Sequence, residues 1–232
     1  MTTVNERSSM KNPTRRERAA RTRAAIIEAA HMRFTRSGYH ATTMAAIAED
    51  ANVAVQTVYF VFGTKANLLG DVIGAAVGGL TADGQFAENP EDSQWWLAAM
   101  TQTDGHAALA GFVEGGVPIF ARTAAVAEAA RIAGQTDEDA REVFERGEAF
   151  RRVQFGRFVR SLDDRGLLRD GLDVERAIDI LVTMFGSQTY LSFTTDHGWT
   201  DDEFAEWLSG ALAALLLVRP DPRRRITRRI PS

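Results

Sequence analysis

Two helices too short to stand alone, with almost no chain between them, place the strongest constraint on this sequence. They lie in TTMAAIAEDANVAVQTVYFVFGTK, residues 42–65. Thr43 is placed to cap the first, whose apolar side is Met44, Ile47 and Ala48. The pattern stops at Ala51-Asn52 and restarts at Val53, with Val58 and Phe62 on one face. Asn52 falls at the turn, and Asn accepts positive φ better than any residue except Gly. Gly63 and Thr64 then stop the second helix and cap a third, beginning at Lys65. Helices under ~12 residues are marginal in water, so this pair must be held together by a longer partner.

The partner lies just upstream. Thr14 and Glu17 have the spacing of a capping box, which starts a helix at PTRRE. Ile27, Ala30 and Phe34 share one face of it, and Gly38 stands where a left-handed residue ends a helix. Three helices, with the last two in helix-turn-helix spacing, are thus expected over residues 14–64. An arm over 1–13 reads as polar and disordered.

Beyond residue 65 the periodicity is helical throughout. No sustained alternation or Asn-Gly hairpin dipeptide argues for a strand. A polar stretch at 82–94 reads as a linker. The following segments are HAALAGFVEGGVPIFART, bent or broken near Pro118, and AAVAEAARIAG. Next come a long helix capped by Thr136 or Asp137 and closed by Gly166, one helix from Asp173 through the 190s, and a last one capped by Thr200. The expected fold is all-α: about nine helices, with a small head and a larger bundle over 65–218. The basic tail 219–232 is expected to be flexible.

Charge separates the two parts. Residues 1–65 hold ten Lys/Arg against five Asp/Glu, a local +5, and the remainder hold seventeen against twenty-six, a local −9. Only the head is therefore suited to phosphate. The chain has no cysteine, which excludes disulfides and disfavours structural zinc. No uninterrupted apolar run reaches the length of a membrane span, and no apolar segment follows the basic start as in a signal peptide. A cytoplasmic location is expected. His31, His40, His106 and His197 are scattered, no G-x-S-x-G or phosphate loop is present, and no catalytic constellation emerges. Neither an enzyme, a metal site nor a cofactor is expected.

The second short helix carries a polar face opposite Val58 and Phe62. In helix-turn-helix docking the N-terminal residues of this helix meet base edges in the major groove. Gln can pair with an adenine edge, Thr can bond several bases, and Val can touch a thymine methyl. A Tyr hydroxyl can reach phosphate, as can Thr43 and Lys65 at helix starts. The candidate DNA contacts are Thr43, Val55, Gln56, Thr57, Tyr59, Phe60 and Lys65.

The order and spacing of these residues resemble the DNA-binding domain of TetR-family transcriptional regulators over about residues 20–70. Asn52 stands where that family usually has Gly, Ala54 where it has a capping Ser, and Gly63-Thr64 where it has Pro-Ser or Lys-Asn. The resemblance implies a homodimeric repressor on a palindromic operator, released by a small hydrophobic effector held in the helical body. Trp96, Met100, Phe112, Phe120, Phe155, Phe158 and Phe185 are the candidate effector-pocket residues. By the same resemblance the last two helices form the dimer face, with Leu181, Phe185, Phe204, Trp207, Leu208 and Leu212 as candidates. Two rival readings are a constitutive dimeric DNA binder without effector, and an all-α carrier or enzyme whose DNA-binding head has decayed.

Overall fold

The computed structural model describes residues 14–79 and 89–218. The expected arm at 1–13, the tail at 219–232 and most of the linker lie outside the described residues. Among the described residues helix accounts for the regular structure, and an isolated β-bridge joins Leu168 and Leu217.

The head is α1 (Arg15–Ala41), α2 (Met44–Asp50) and α3 (Val55–Phe62). The capping box at Thr14 and Glu17 is formed. Gly38 breaks the helical path of α1 with φ 77°. Thr43 caps α2 by accepting from Ala46 N–H at 3.1 Å. Asn52 takes the turn at φ 52°. Ala54 opens α3 with no side-chain cap. Ala54→Ser should therefore stabilise the protein by about 1 kcal/mol, read as a higher denaturation midpoint with an unchanged slope. An unchanged midpoint would show that the cap site is already satisfied.

α4 (Lys65–Gly78) leaves α3 through a bend of 74°. Ile26, Phe34, Ile47, Val58, Phe62, Leu68 and Leu69 form the centre of the head core. Val126, Ala130, Ala140 and Val143, from helices far along the chain, join the same core.

The body comprises α5 (Gln94–Thr101), α6 (Gly105–Ala133), α7 (Glu138–Asp164), α8 (Val174–Met184), α9 (Ser187–Leu191) and α10 (Asp201–Leu216). Asp137, Asp173 and Thr200 supply caps to α7, α8 and α10. α6 is the axle. It packs on α1 of the head, on α4, and on α5, α7, α9 and α10 of the body. It is long and apolar enough to match a membrane span, but protein covers much of its apolar surface.

Three expectations change here. α5, inside and just after the expected linker, is an additional helix. The segments before and after Pro118 are one helix of 29 residues. Pro118 lies on an exposed position, so the carbonyl deprived of its donor can meet water, and packing on both sides keeps the axis intact. The single helix expected from Asp173 through the 190s instead breaks at Phe185 (φ −99°, ψ 60°) and Gly186 (φ −117°, ψ 160°). Arg151 of α7 makes this break affordable. Its Nη1 donates to the carbonyls of Val182 at 2.7 Å and Phe185 at 2.9 Å, satisfying groups a continuing helix would have paired. The Phe185 ring turns inward to stack on Phe120, with centroids 4.5 Å apart. Gly116 admits it, since a Cβ there would sit 2.8 Å from the ring.

Candidate nucleic-acid interface and effector cavity

The α3 helix is held from one side only. Val58 and Phe62 are buried in the head core. Gln56 is exposed, Tyr59 is 53% exposed and Phe60 is 91% exposed. A surface Phe this open costs apolar hydration that no contact within the described residues offsets. Thr57 is half-buried, and Thr43 is exposed with its oxygen engaged as the α2 cap. Beneath this face, Arg33 of α1 holds Asp50 at the end of α2 through two hydrogen bonds of 2.5 and 2.7 Å. The guanidinium keeps the Asp50 carboxyl below its ordinary range.

Two expected contacts are placed differently. Val55 is half-buried and packs against the head core, because it lies one turn before Val58 on the inward side. Lys65 turns its ammonium inward. Its Nζ donates to the carbonyls of Tyr39 at 2.9 Å and Thr42 at 3.1 Å, and sits 4.1 Å from the Tyr39 ring centroid. These carbonyls end α1, where a cation is favoured. Burial lowers the Lys65 pKa, partly opposed by Asp137. Burial first, then Asp137 and Asp139, push the Tyr39 hydroxyl up to about 12. Lys65 thus joins α1 to α4 rather than presenting its charge outward. Lys65→Met should strand the Thr42 carbonyl and leave the Tyr39 carbonyl only its bond from the Thr42 N–H, at a cost of about 1–3 kcal/mol, seen as a lower melting temperature. An unchanged melting temperature would mean that water replaces the ammonium.

The joint between head and body is polar. His31 Nε2 pairs with the Arg122 carbonyl at 2.9 Å, and Arg122 Nε donates to the Ala76 carbonyl at 3.0 Å near the end of α4. His40 Nε2 meets the Thr136 hydroxyl at 3.1 Å.

A cavity of about 400 Å³ lies among α4, α5, α6, α7 and the α8–α9 break. Gly70, Ile73, Gly74 and Val77 form its α4 wall. The missing side chains at Gly70 and Gly74 leave room that a regular apolar helix face would fill. Of the expected pocket residues, Trp96, Phe112, Phe120, Phe155 and Phe185 line it. Phe158 does not. It is fully buried behind Phe112, stacked with centroids 4.0 Å apart. Met100 does not either: it faces a shallow surface depression with Glu91 and Asp92. Trp95, Ile119, Phe144, Phe150, Arg151 and Gln154 are wall residues that the sequence reading did not single out. Trp95 reaches its place because Gly115 has no Cβ, which would lie 2.2 Å from the indole.

The expected dimer residues fare worse. Leu181, Phe185, Phe204, Leu208 and Leu212 are each 0% exposed within a single chain. The α8 stripe is covered by α7 and α10 and the α10 stripe by α6 and α8, so the bundle consumes them. Trp207 alone is partly exposed, packed on Phe193 at 4.2 Å between centroids. No group of three or more potential metal ligands occurs among the described residues.

Residues 26–72 match the family described as bacterial regulatory proteins, tetR family. No curated protein matches the sequence. Solved structures share the fold across most of the chain. A putative TetR-family transcriptional regulator from Mesorhizobium loti is 21% identical, with a TM-score of 0.64, covering 89% of this chain and 100% of that one. NalD, the secondary repressor of the MexAB-OprM multidrug efflux pump in Pseudomonas aeruginosa, is 22% identical with a TM-score of 0.63, covering 86% and 97%. A putative transcriptional regulator from Saccharomonospora viridis, solved in complex with choline, is 18% identical with a TM-score of 0.64, covering 85% and 98%. Residues 26–72 of the head thus match the tetR family of bacterial regulatory proteins, and the chain as a whole shares the fold of solved TetR-family transcriptional regulators.

Proposed function

We propose that the protein is a homodimeric transcriptional repressor in the cytoplasm that binds a palindromic operator and is released by a small hydrophobic effector. The observation that carries the DNA half is the outward face of α3, where Gln56, Tyr59 and Phe60 stand exposed on a helix anchored from behind by Val58 and Phe62. One short helix reads few bases. Two helices related by a two-fold axis read half-sites one turn apart or a multiple of it.

With the inner stripes of α8 and α10 consumed, the partner falls to their outer sides. Ile180 and Met184 of α8 and Trp207, Ala211, Ala214 and Leu215 of α10 are exposed or half-buried there. Small residues on such a face let helices approach closely. The cavity supports the effector half: it touches α4, and α4 continues directly from α3. A ligand acts only if it prefers one arrangement of that joint, and the coupling is that preference expressed as free energy.

The test is selection from a random DNA pool at two salt concentrations. Enrichment of a palindrome, bound more weakly at high salt, is the expected result. Binding without an enriched sequence would replace the reading with a non-specific binder. No binding at either salt, by protein freed of small molecules, would overturn it.

A further inference from the structure

The walls of the cavity say more about its occupant than that it is apolar. The fixed charges nearest it cancel. Arg151 donates through Nε and Nη2 to the Glu148 carboxylate and through Nη1 to two main-chain carbonyls. Four of its five N–H groups are thereby used. An anion entering here meets a guanidinium already compensated and a carboxylate beside it. A cation meets a carboxylate already compensated and a guanidinium beside it. Either would have to break the pair and leave one member without its partner. Arg146 also borders the cavity, but its side chain is 68% exposed and lies 3.9 Å from Glu142.

Asn89 and Ser187 border the cavity at positions that are not buried, and of the two buried polar side chains in the wall one keeps an unspent group. Gln154 is 8% exposed, lines the cavity, and accepts from Arg157 Nη1 through Oε1 at 3.4 Å. That contact orients the amide: with oxygen toward the guanidinium, the NH₂ points away from it. The amide nitrogen donates to no described residue. Thr123, the other buried polar wall residue, already donates its hydroxyl to the Ile119 carbonyl at 2.8 Å. The remaining lining is apolar: aliphatic residues and glycines such as Ile73, Ile119 and Gly74, and the rings of Phe112, Phe120, Phe155 and Phe185, which are linked through ring contacts.

We propose that the cavity selects a neutral aromatic ligand bearing a hydrogen-bond acceptor such as a ketone or ester carbonyl, which Gln154 reads through its amide N–H. This inference rests on the effector reading above and narrows it. It sets this chain apart from its structural neighbour solved with choline, whose ligand is a cation.

The experiment uses calorimetric titration of the full chain with four naphthalenes of similar size. They are 2-acetylnaphthalene, 2-ethylnaphthalene, 2-naphthoate and a (2-naphthylmethyl)trimethylammonium salt. The ketone is expected to bind about tenfold more tightly than each of the others, the scale of one buried hydrogen bond or more. Gln154→Met should bring the ketone down to the affinity of the hydrocarbon while leaving the hydrocarbon within about twofold. A variant with a collapsed cavity would lose both. Naphthoate or the ammonium salt matching the ketone, a ketone preference surviving Gln154→Met, or no binding of any of the four would overturn the proposal. None of these titrations involves DNA. A ketone that binds as expected yet leaves operator affinity unchanged would overturn the effector role while leaving the ligand class standing.

Discussion

Gln56→Ala is expected to weaken operator binding by about 1–3 kcal/mol per half-site, the worth of one side-chain contact to a base edge. In a two-fold dimer both half-sites lose it, so the total is about 2–6 kcal/mol, or at least about thirtyfold in Kd. Titration of fluorescent operator DNA reads this directly. Gln56 meets no phosphate in this reading, so the salt dependence should keep its slope. It is exposed and has no partner among the hydrogen bonds of the described residues, so stability should stay within about 0.5 kcal/mol. Phe60→Ala should behave alike, losing DNA affinity without losing stability. Unchanged operator affinity in both variants would remove α3 as the reading helix.

The largest loss of stability is expected at Phe112→Ala. This residue is 1% exposed, stacks on Phe158 and makes ring contacts with Trp96, Phe155 and Phe185. Truncation removes its burial and leaves a void that rings fixed on three helices cannot close. The cost is about 3–5 kcal/mol. For a chain of this size that corresponds to a melting temperature lower by about 6–20 °C. A loss below about 1 kcal/mol would mean that the aromatic cluster is not packed as described. The position also separates two ways of disabling the cavity: Gln154→Met keeps the core and changes recognition, whereas Phe112→Ala enlarges the cavity at the expense of the core.

The caps and the turn were legible because their signals are local. Thr14 with Glu17, Thr43, Asn52, Thr64, Asp173 and Thr200 act within three or four residues of themselves, and each occupies its expected cap or turn. Capping and positive φ are decided by chemistry that neighbouring residues supply, so position in sequence is nearly position in space. Ala54 shows the same logic in the negative: no side-chain oxygen, no cap.

The misplaced residues share a different property. Periodicity tells which face of a helix is apolar, and it is silent on what covers that face. Leu181, Phe204, Leu208 and Leu212 were expected to meet a partner chain, yet α7 and α10 enclose the first and α6 and α8 the others. Phe158 and Met100 are large apolar residues like the wall residues Phe155 and Trp96, but lie behind the wall or outside it. Lys65 begins α4 as expected, but the chain brings the end of α1 beneath it, 23 to 26 residues away in sequence, and its charge turns inward.

By itself, then, the sequence determined the helical class, the helix starts at Thr14, Thr43, Thr64, Asp173 and Thr200, the helix-turn-helix spacing and the anchored face of α3, all set within a few residues of chain. Tertiary structure alone decided the continuity of α6 through Pro118, the break at Phe185 held by Arg151, the glycine-walled cavity and the orientation of Gln154. Each depends on a side chain or carbonyl brought from a distant helix. That pairing is settled by packing the whole bundle at once, and no local pattern records it.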